Sequence, residues 1–218
     1  MLEGVPVGGG SVFVREYAHT NLQTPPSLKR HLLYLRGGIK LSVIILYISK
    51  MSEENLLRRQ RVYDFLEAHD IEYSVYEHPE APTIEIARKY WRQDGSKHCK
   101  NLFFRNHKGN RHYLVVFDSE QSLAIHDLEQ RLRQGKLSFA SEQRMERWLG
   151  LRPGSVSPFG LVNDEECRVQ LFLDANLKSY PALSFHPNDN TATVVISQEM
   201  FARYLTAVGN TYEYIELY

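Results

Sequence analysis

Residues 96–117, SKHCKNLFFRNHKGNRHYLVVF, predict two strands joined by a tight turn, around which the rest of the fold is arranged. Residues 99–105 and 112–117 are rich in apolar, aromatic and β-branched residues, as strands are. Between them, His107-Lys108-Gly109-Asn110 contains a Gly-Asn pair that favours a hairpin turn. Side chains alternate between the faces of a strand, so Lys100, Leu102 and Phe104 share one face. The stretch therefore predicts a hairpin with a lysine on an otherwise apolar face.

The flanking sequence alternates between helical and strand patterns. Helical spacing of apolar residues predicts helices over 53–69, 84–92, 127–133, 141–149 and 198–208. Further strands are predicted over 71–77, 137–140, 169–173, 183–185, 192–196 and 212–217. Because the elements do not follow strict βα alternation, a TIM barrel and a doubly wound sheet are excluded. We expect an α+β domain whose mixed sheet of about seven short strands is curved or closed and flanked by helices.

Composition indicates a globular protein with a neutral balance of charge. The chain has 218 residues, with 26 Lys+Arg against 26 Asp+Glu. Zero net charge argues against a strongly basic nucleic-acid coat protein but leaves room for a local basic patch. Two cysteines exclude a disulfide scaffold and a four-cysteine zinc module.

Residues 1–50 differ in kind from the rest of the chain. They have glycine and proline clusters, little periodicity, and an apolar run over 41–48 that is too short to span a bilayer. Met51-Ser52-Glu53-Glu54 looks like an ordinary protein start followed by a helix. We therefore expect residues 1–50 to be an extension, read through from an early start codon or floppy, and 51–218 to be the functional domain. The alternative is a genuine strand over 39–48.

Three segments carry candidate functional residues, and the first is the hairpin. Residues 95–117 contain five Lys/Arg and no acid, interleaved with aromatics. Positive charge for phosphates and rings for bases suit the end of a single-stranded RNA. A lysine is rarely buried without a partner. Lys100 therefore either faces a pocket that receives a phosphate or carboxylate, or lies at the strand edge with its ammonium in water.

The other two segments are loops. The first is Gly154-Ser155-Val156-Ser157-Pro158, which follows a proline. Such a loop either serves only to connect two elements or offers several backbone N–H groups to one ligand oxygen. Phe185-His186-Pro187-Asn188 begins a hairpin tip, which places His186 at a pocket mouth in the functional interpretation.

Motifs typical of other enzyme classes are missing from the sequence. The sequence has no Walker loop, GxGxxG, HExxH, GxSxG or zinc deaminase motif, and no histidine pair with metal-ligand spacing. The residue types would allow Cys99 to act as a nucleophile paired with His186. A lone cysteine in a strand, however, is more often a small buried apolar residue. We therefore expect neither a metal nor a cofactor.

The three segments together resemble the YbaK/ProX family of free-standing aminoacyl-tRNA editing domains. Lys100-Asn101-Leu102-Phe103 looks like the family's Lys-Asn-Leu-Phe strand. Residues 137–141, 149–150 and 154–158, then Phe185-His186-Pro187 with Asn188, follow in the family's order. The resemblance covers about residues 53–214 and is greatest to the ProX branch, which clears alanine from tRNA(Pro).

The resemblance implies a barrel-like mixed sheet flanked by helices and a hydrolase acting on a misacylated tRNA ester. It assigns catalytic roles to Lys100, Asn101 and His186, and substrate-binding roles to Gly154, Ser155, Val156, Ser157, Pro158 and Asn188. Since no convincing protein nucleophile is present, we expect a positioned water to attack the ester with assistance from the substrate.

Two alternative functions remain open. One is a YbaK-type enzyme that clears cysteine from tRNA(Pro), and the other is a non-catalytic module that binds the tRNA 3′ end. A small-molecule esterase would need a nucleophile elbow, which is missing. The expected partner is the acceptor end of tRNA(Pro), with prolyl-tRNA synthetase or an elongation factor as further candidates. We expect a cytoplasmic monomer without membrane contact.

Overall fold

The computed structural model describes residues 41–218, with side chains from Glu53 onward. Helix α1 spans Leu41–Ala68, so it begins upstream of the predicted 53–69. Residues 41–48 are helical, which makes the alternative of a strand there wrong. The prediction that residues 1–50 form an extension stays a prediction, because residues 1–40 lie outside the described part. Residues 47–218 form one compact unit.

The helices and strands follow the predicted order. After α1 the helices are α2 (Ile84–Ala87), α3 (Ile125–Leu132), α4 (Glu142–Leu149) and α5 (Gln198–Val208). Short 3₁₀ helices cover Pro158–Asn163 and Ala175–Ser179. The strands are β1 (Ser74–Glu77), β2 (Ser96–Arg105), β3 (His112–Asp118), β4 (Ser138–Phe139), β5 (Val169–Asp174), β6 (Ala182–Phe185), β7 (Ala192–Ser197) and β8 (Tyr212–Ile215).

The sheet is mixed, as predicted, and it is open rather than closed. Its order is β1-β7-β6-β2-β3-β5-β8, with β4 added to β2, so β1 and β8 form the two ends of the path. The ten-residue β2 connects the two halves. Its first residues pair parallel with β6, and the remainder pairs antiparallel with β3.

The hairpin of β2 and β3 forms as the sequence predicts. Register pairs Lys100 with Phe117 and Arg105 with His112. The turn is held by the Asn106 side chain, which accepts from the backbone N–H groups of Asn110 and Arg111, while Gly109 takes a left-handed conformation with φ +70°. Glycine adopts that conformation at no steric cost.

Alternating side chains of β2 enter two separate apolar cores. Phe103 packs in the larger core with helices α1, α4 and α5, whereas Leu102 and Phe104 belong to the smaller core beside α3. One face of the central hairpin is therefore covered by α1, α4 and α5, and the other face is covered by α3. Within residues 41–218, no helix is both long and apolar enough to cross a membrane.

Candidate active site

A cleft of about 300 Å³ opens where β2 passes from its pairing with β6 to its pairing with β3. Its walls come from the start of β2, the segment that contains α2, one loop after α4, and the β6–β7 hairpin. The residues that line it are Ala81, Pro82, Thr83, Ile84, Ala87, Trp91, His98, Cys99, Lys100, Asn101, Leu102, Gly154, Val156, Ser184, Phe185, His186 and Thr193. Its volume is at the lower end of the range for small-molecule sites.

Lys100 brings an uncompensated positive charge to this cleft. Its Nζ donates to the backbone carbonyl of Gln121 at 2.8 Å and lies 5.9 Å from the centre of the Phe117 ring. In residues 53–218, no carboxylate lies within ion-pair distance of it. Lys97 on the same strand is different, because its Nζ lies 2.9 Å from carboxylate oxygens of both Asp118 and Glu120. Lys100 therefore keeps donors and charge for an anionic ligand.

Asn101 joins β2 to the loop that follows α4. Its Nδ2 donates to the backbone carbonyl of Val156 at 3.1 Å. Its Oδ1 is buried and has no hydrogen-bond partner among the described residues. An unpaired buried acceptor at a cleft is available to a water or to a ligand donor.

Two residues of the predicted glycine loop, Gly154 and Val156, line the cleft. Gly154 has φ +86°, and a Cβ there would lie 3.2 Å from the Pro82 carbonyl oxygen, so the two cleft walls touch at this glycine. The N–H of Ser155 donates to the Arg152 carbonyl at 3.1 Å. In the described part of the chain, the N–H groups of Gly154 and Val156 have no acceptor. These two amides are thus candidates for holding an oxyanion.

Other residues predicted to bind substrate lie behind the cleft wall. Ser155 is buried and does not line the cleft. Ser157 Oγ accepts from the Phe159 N–H at 3.2 Å, and the carbonyl of Pro158 accepts from the Tyr204 hydroxyl at 2.8 Å. Asn188 is buried, and its Nδ2 donates to the Phe159 carbonyl at 3.2 Å. These contacts fix the loop and its backing, and they leave Gly154 and Val156 as the parts that face the cleft.

His186 lines the cleft. Its Nδ1 donates to the Ala192 carbonyl at 3.0 Å, which leaves a lone pair on Nε2. Burial lowers the pKa of His186, and the hydrogen bond to Ala192 only partly opposes this effect. The neutral ring can therefore accept a proton or a hydrogen bond near neutral pH.

A polar network that the sequence did not reveal holds the tip of the β6–β7 hairpin. Arg59 of α1 donates to Thr191 Oγ1 at 3.3 Å and lies 4.0 Å from the buried Asp189 carboxylate. The Ala81 N–H donates to the Asn190 carbonyl at 2.9 Å. The network connects α1, the hairpin of His186, and the Ala81 wall of the cleft.

His98 and Trp91 are the main cleft residues that the sequence interpretation missed. Their rings stack with centroids 4.3 Å apart and planes only 4° from parallel. Burial lowers the pKa of His98 to about 4, so the imidazole is neutral. One indication in the sequence that His98 lies in the cleft is its position two residues before Lys100, and so on the same face of the strand.

The thiol of Cys99 is a poor nucleophile in this environment. Burial raises the pKa of Cys99 well above its usual range, and Sγ lies 3.6 Å from the Lys97 carbonyl as a donor. The thiolate is the reactive form of cysteine. The cleft therefore offers a cation, backbone donors, and neutral acceptors that can orient water, a set suited to hydrolysis of an already activated ester.

Comparison with known proteins places the site in a sequence context. Residues 78–204 match the family model described as the aminoacyl-tRNA editing domain. The chain is 42% identical over 159 residues to the prolyl-tRNA editing protein ProX of Acetoanaerobium sticklandii, covering 73% of this chain and 97% of that protein. It is 31% identical over 156 residues to the prolyl-tRNA synthetase associated domain-containing protein 1 of Xenopus laevis, covering 70% and 92%.

A solved structure shares the fold. It is described as a candidate trans-editing enzyme for prolyl-tRNA synthetase and superposes with a TM-score of 0.57 at 22% identity. The match covers 73% of this chain and 96% of that one. At this identity the likeness supports the architecture alone.

Proposed function

The chain belongs to the aminoacyl-tRNA editing domain family, and from this premise we propose that it hydrolyses the ester bond of misacylated tRNA(Pro). The observation that carries the proposal is the meeting of Lys100, Asn101, Gly154 and His186 in one cleft. The similarity to a prolyl-tRNA editing protein over nearly all of that protein's length supports tRNA(Pro) as the substrate.

Alanine is the amino acid that we propose is removed. A synthetase pocket that fits proline cannot firmly exclude the smaller alanine, because an apolar pocket discriminates by only about 1–3 kcal/mol per methylene. A second and smaller site corrects the error by admitting alanine and rejecting proline. A cleft of about 300 Å³ with alanine side chains at positions 81 and 87 in its walls is compatible with a small substituent.

In the proposed mechanism, a water attacks the ester carbonyl carbon. Lys100 binds a phosphate of the tRNA 3′ end, and the amides of Gly154 and Val156 hold the oxygen that becomes negative in the tetrahedral intermediate. Asn101 Oδ1 and His186 Nε2 accept hydrogen bonds from the attacking water and fix its position. The C–O ester bond then breaks, the ribose oxygen leaves with a proton that came from the attacking water, and the products are the free amino acid and tRNA.

The test is a deacylation assay with the full chain on Ala-tRNA(Pro), Cys-tRNA(Pro) and Pro-tRNA(Pro). We expect selective loss of alanine in the wild type and a severe loss of rate in Lys100→Ala. Preference for cysteine would identify a YbaK-type enzyme with the same chemistry. A folded protein that turns over none of the three substrates, yet binds the tRNA end, would refute the enzyme and leave the binding module.

A further inference from the structure

Ser184 and His98 line one corner of the cleft that the proposed mechanism does not use, and Ser96 and Asp94 lie behind Ser184. At this corner Asp94 Oδ1 accepts from the Ser96 N–H at 3.0 Å and from Ser96 Oγ at 2.5 Å. Ser96 Oγ also lies 2.6 Å from Ser184 Oγ, and Ser184 lines the cleft. The number of hydroxyl protons fixes which oxygen donates and which accepts in these hydrogen bonds. A hydroxyl has one proton, so Ser96 donates to Asp94 and Ser184 must donate to Ser96.

Ser184 Oγ therefore has only lone pairs left for a ligand. The carboxylate of Asp94 stays charged, because the hydrogen bonds from Ser96 outweigh the opposing effect of burial and lower the pKa of Asp94. The negative charge draws the two hydroxyl protons toward Asp94. The oxygen of Ser184 thereby becomes a stronger acceptor on the side of the cleft.

His98 supplies the second acceptor of the corner. Its Nε2 is buried and finds no partner in the part of the chain that the structure describes. The Trp91 ring, stacked 4.3 Å away, holds the imidazole plane in place. A backbone hydrogen bond to Arg92 takes the single N–H of the neutral ring, so the nitrogen without a partner is left with a lone pair. A buried acceptor without a partner costs about 1–3 kcal/mol, and a ligand that donates to it would recover that cost.

We propose that His98 and Ser184, backed by Asp94, bind the α-ammonium group of the aminoacyl ester. The inference rests on the proposed function and extends it to the part of the substrate that every aminoacyl-tRNA shares. An ammonium carries three donors and no acceptor, which matches the acceptor atoms that Ser184 and His98 present. Lys100 keeps its own positive charge while its Nζ donates to the Gln121 carbonyl, so the carboxylate of Asp94 is what favours a second cation at this corner.

The proposal predicts that the enzyme requires a free amino group. The probe is lactyl-tRNA(Pro), in which a hydroxyl replaces the ammonium of Ala-tRNA(Pro) at nearly the same size. Each enzymatic rate is divided by the spontaneous hydrolysis rate of its ester, because the ammonium itself activates the ester. Hydrogen bonds to a charged group are about twice as strong as neutral ones. We expect the wild type to favour the alanyl ester by roughly tenfold after this correction.

Two variants separate recognition from structural support. Ser184→Ala removes one acceptor with little change of volume, and His98→Ala removes the other. Each should slow alanyl hydrolysis more than lactyl hydrolysis and thus shrink the preference, whereas His98→Gln, which keeps an acceptor, should retain part of it. Thermal melts show which variants are folded. If His98→Ala is not folded, Ser184→Ala still tests the proposal.

The outcomes are distinguishable. Failure of the wild type to hydrolyse Ala-tRNA(Pro) would remove the proposed function and this inference with it. Equal corrected rates on both esters would overturn the ammonium site while leaving the deacylase intact. A preference that persists unchanged in the Ser184 variant and in every folded His98 variant would also overturn it, because those residues would then act on structure alone.

Discussion

The charge of Lys100 should be measurable as a salt dependence, and the chain contains a matched control. Lys100 lies in the cleft without a carboxylate partner among residues 53–218, whereas Lys108 is exposed at the β2–β3 turn. From Lys100 to the end of β2 at Arg105 is five residues, or roughly 17 Å, and Lys108 lies beyond that point in the turn. Lys100→Ala and Lys108→Ala remove the same charge from different places.

The expected size of the effect follows from one lost phosphate contact. Binding to a single-stranded nucleic acid weakens with salt by a log–log slope of about 0.7 per neutralised phosphate. Lys100→Ala should therefore flatten the dependence of log KM on log salt concentration by about 0.7. A hydrogen bond to a charged group is worth about 1.5–3 kcal/mol, so kcat/KM should fall by roughly 10- to 100-fold at low salt.

The assay is steady-state deacylation of Ala-tRNA(Pro) at several salt concentrations for the wild type and both variants. Lys108→Ala should keep the slope and the rate of the wild type. An unchanged slope in Lys100→Ala would refute the phosphate contact even if the rate falls. An equal flattening in both variants would show a diffuse charge effect instead of a site.

Three further predictions follow from the contacts. Cys99→Ala should retain near wild-type deacylation, because the buried thiol has a raised pKa, and a large loss of kcat would instead indicate a thiol mechanism. Gly154→Ala should lose about 1–2 kcal/mol of unfolding free energy in urea titrations, since φ is +86° and the new Cβ would press on Pro82; an unchanged midpoint would contradict this. His112 accepts a hydrogen bond from Arg144 at 2.8 Å, and burial lowers the pKa of His112 from 6.5 to about 4. As the pH falls, His112 therefore takes up a proton in the unfolded protein before it does so in the folded protein. The stability present above pH 6.5 should drop between pH 6.5 and 4, by about 2 kcal/mol at pH 5, and His112→Gln should remove this part of the pH dependence.

Local patterns in the sequence were sufficient for the hairpin but not for the cleft. The alternation around Leu102 and Phe104 and the Gly-Asn turn predicted β2 and β3 to within three residues, because these depend on neighbours in the chain. Helix α2 ends at Ala87 and is shorter than the predicted 84–92, because the amides of Lys89 and Tyr90 bond three residues back as turns.

The acceptor corner could not be predicted because it depends on pairing between distant segments. His98 pairs with Ser184 across the parallel contact of β2 and β6. No property of the 96–98 segment indicates that pairing. Lys100 illustrates the same limit, because its observed partner is the carbonyl of Gln121, which no side-chain pattern specifies.

The mixed pairing of β2 also has a consequence for protein synthesis. The residues that complete the cleft are supplied late, since Ser96 pairs with Ala182 and Ser74 with Val195. Contacts between segments so distant along the chain form slowly and only after both segments exist. A nascent chain still lacking β6 and β7 has the β2–β3 hairpin but no cleft. Deacylase activity should therefore arise only after β7 has left the ribosome, and a fragment that ends before β7 should not release amino acids from tRNA.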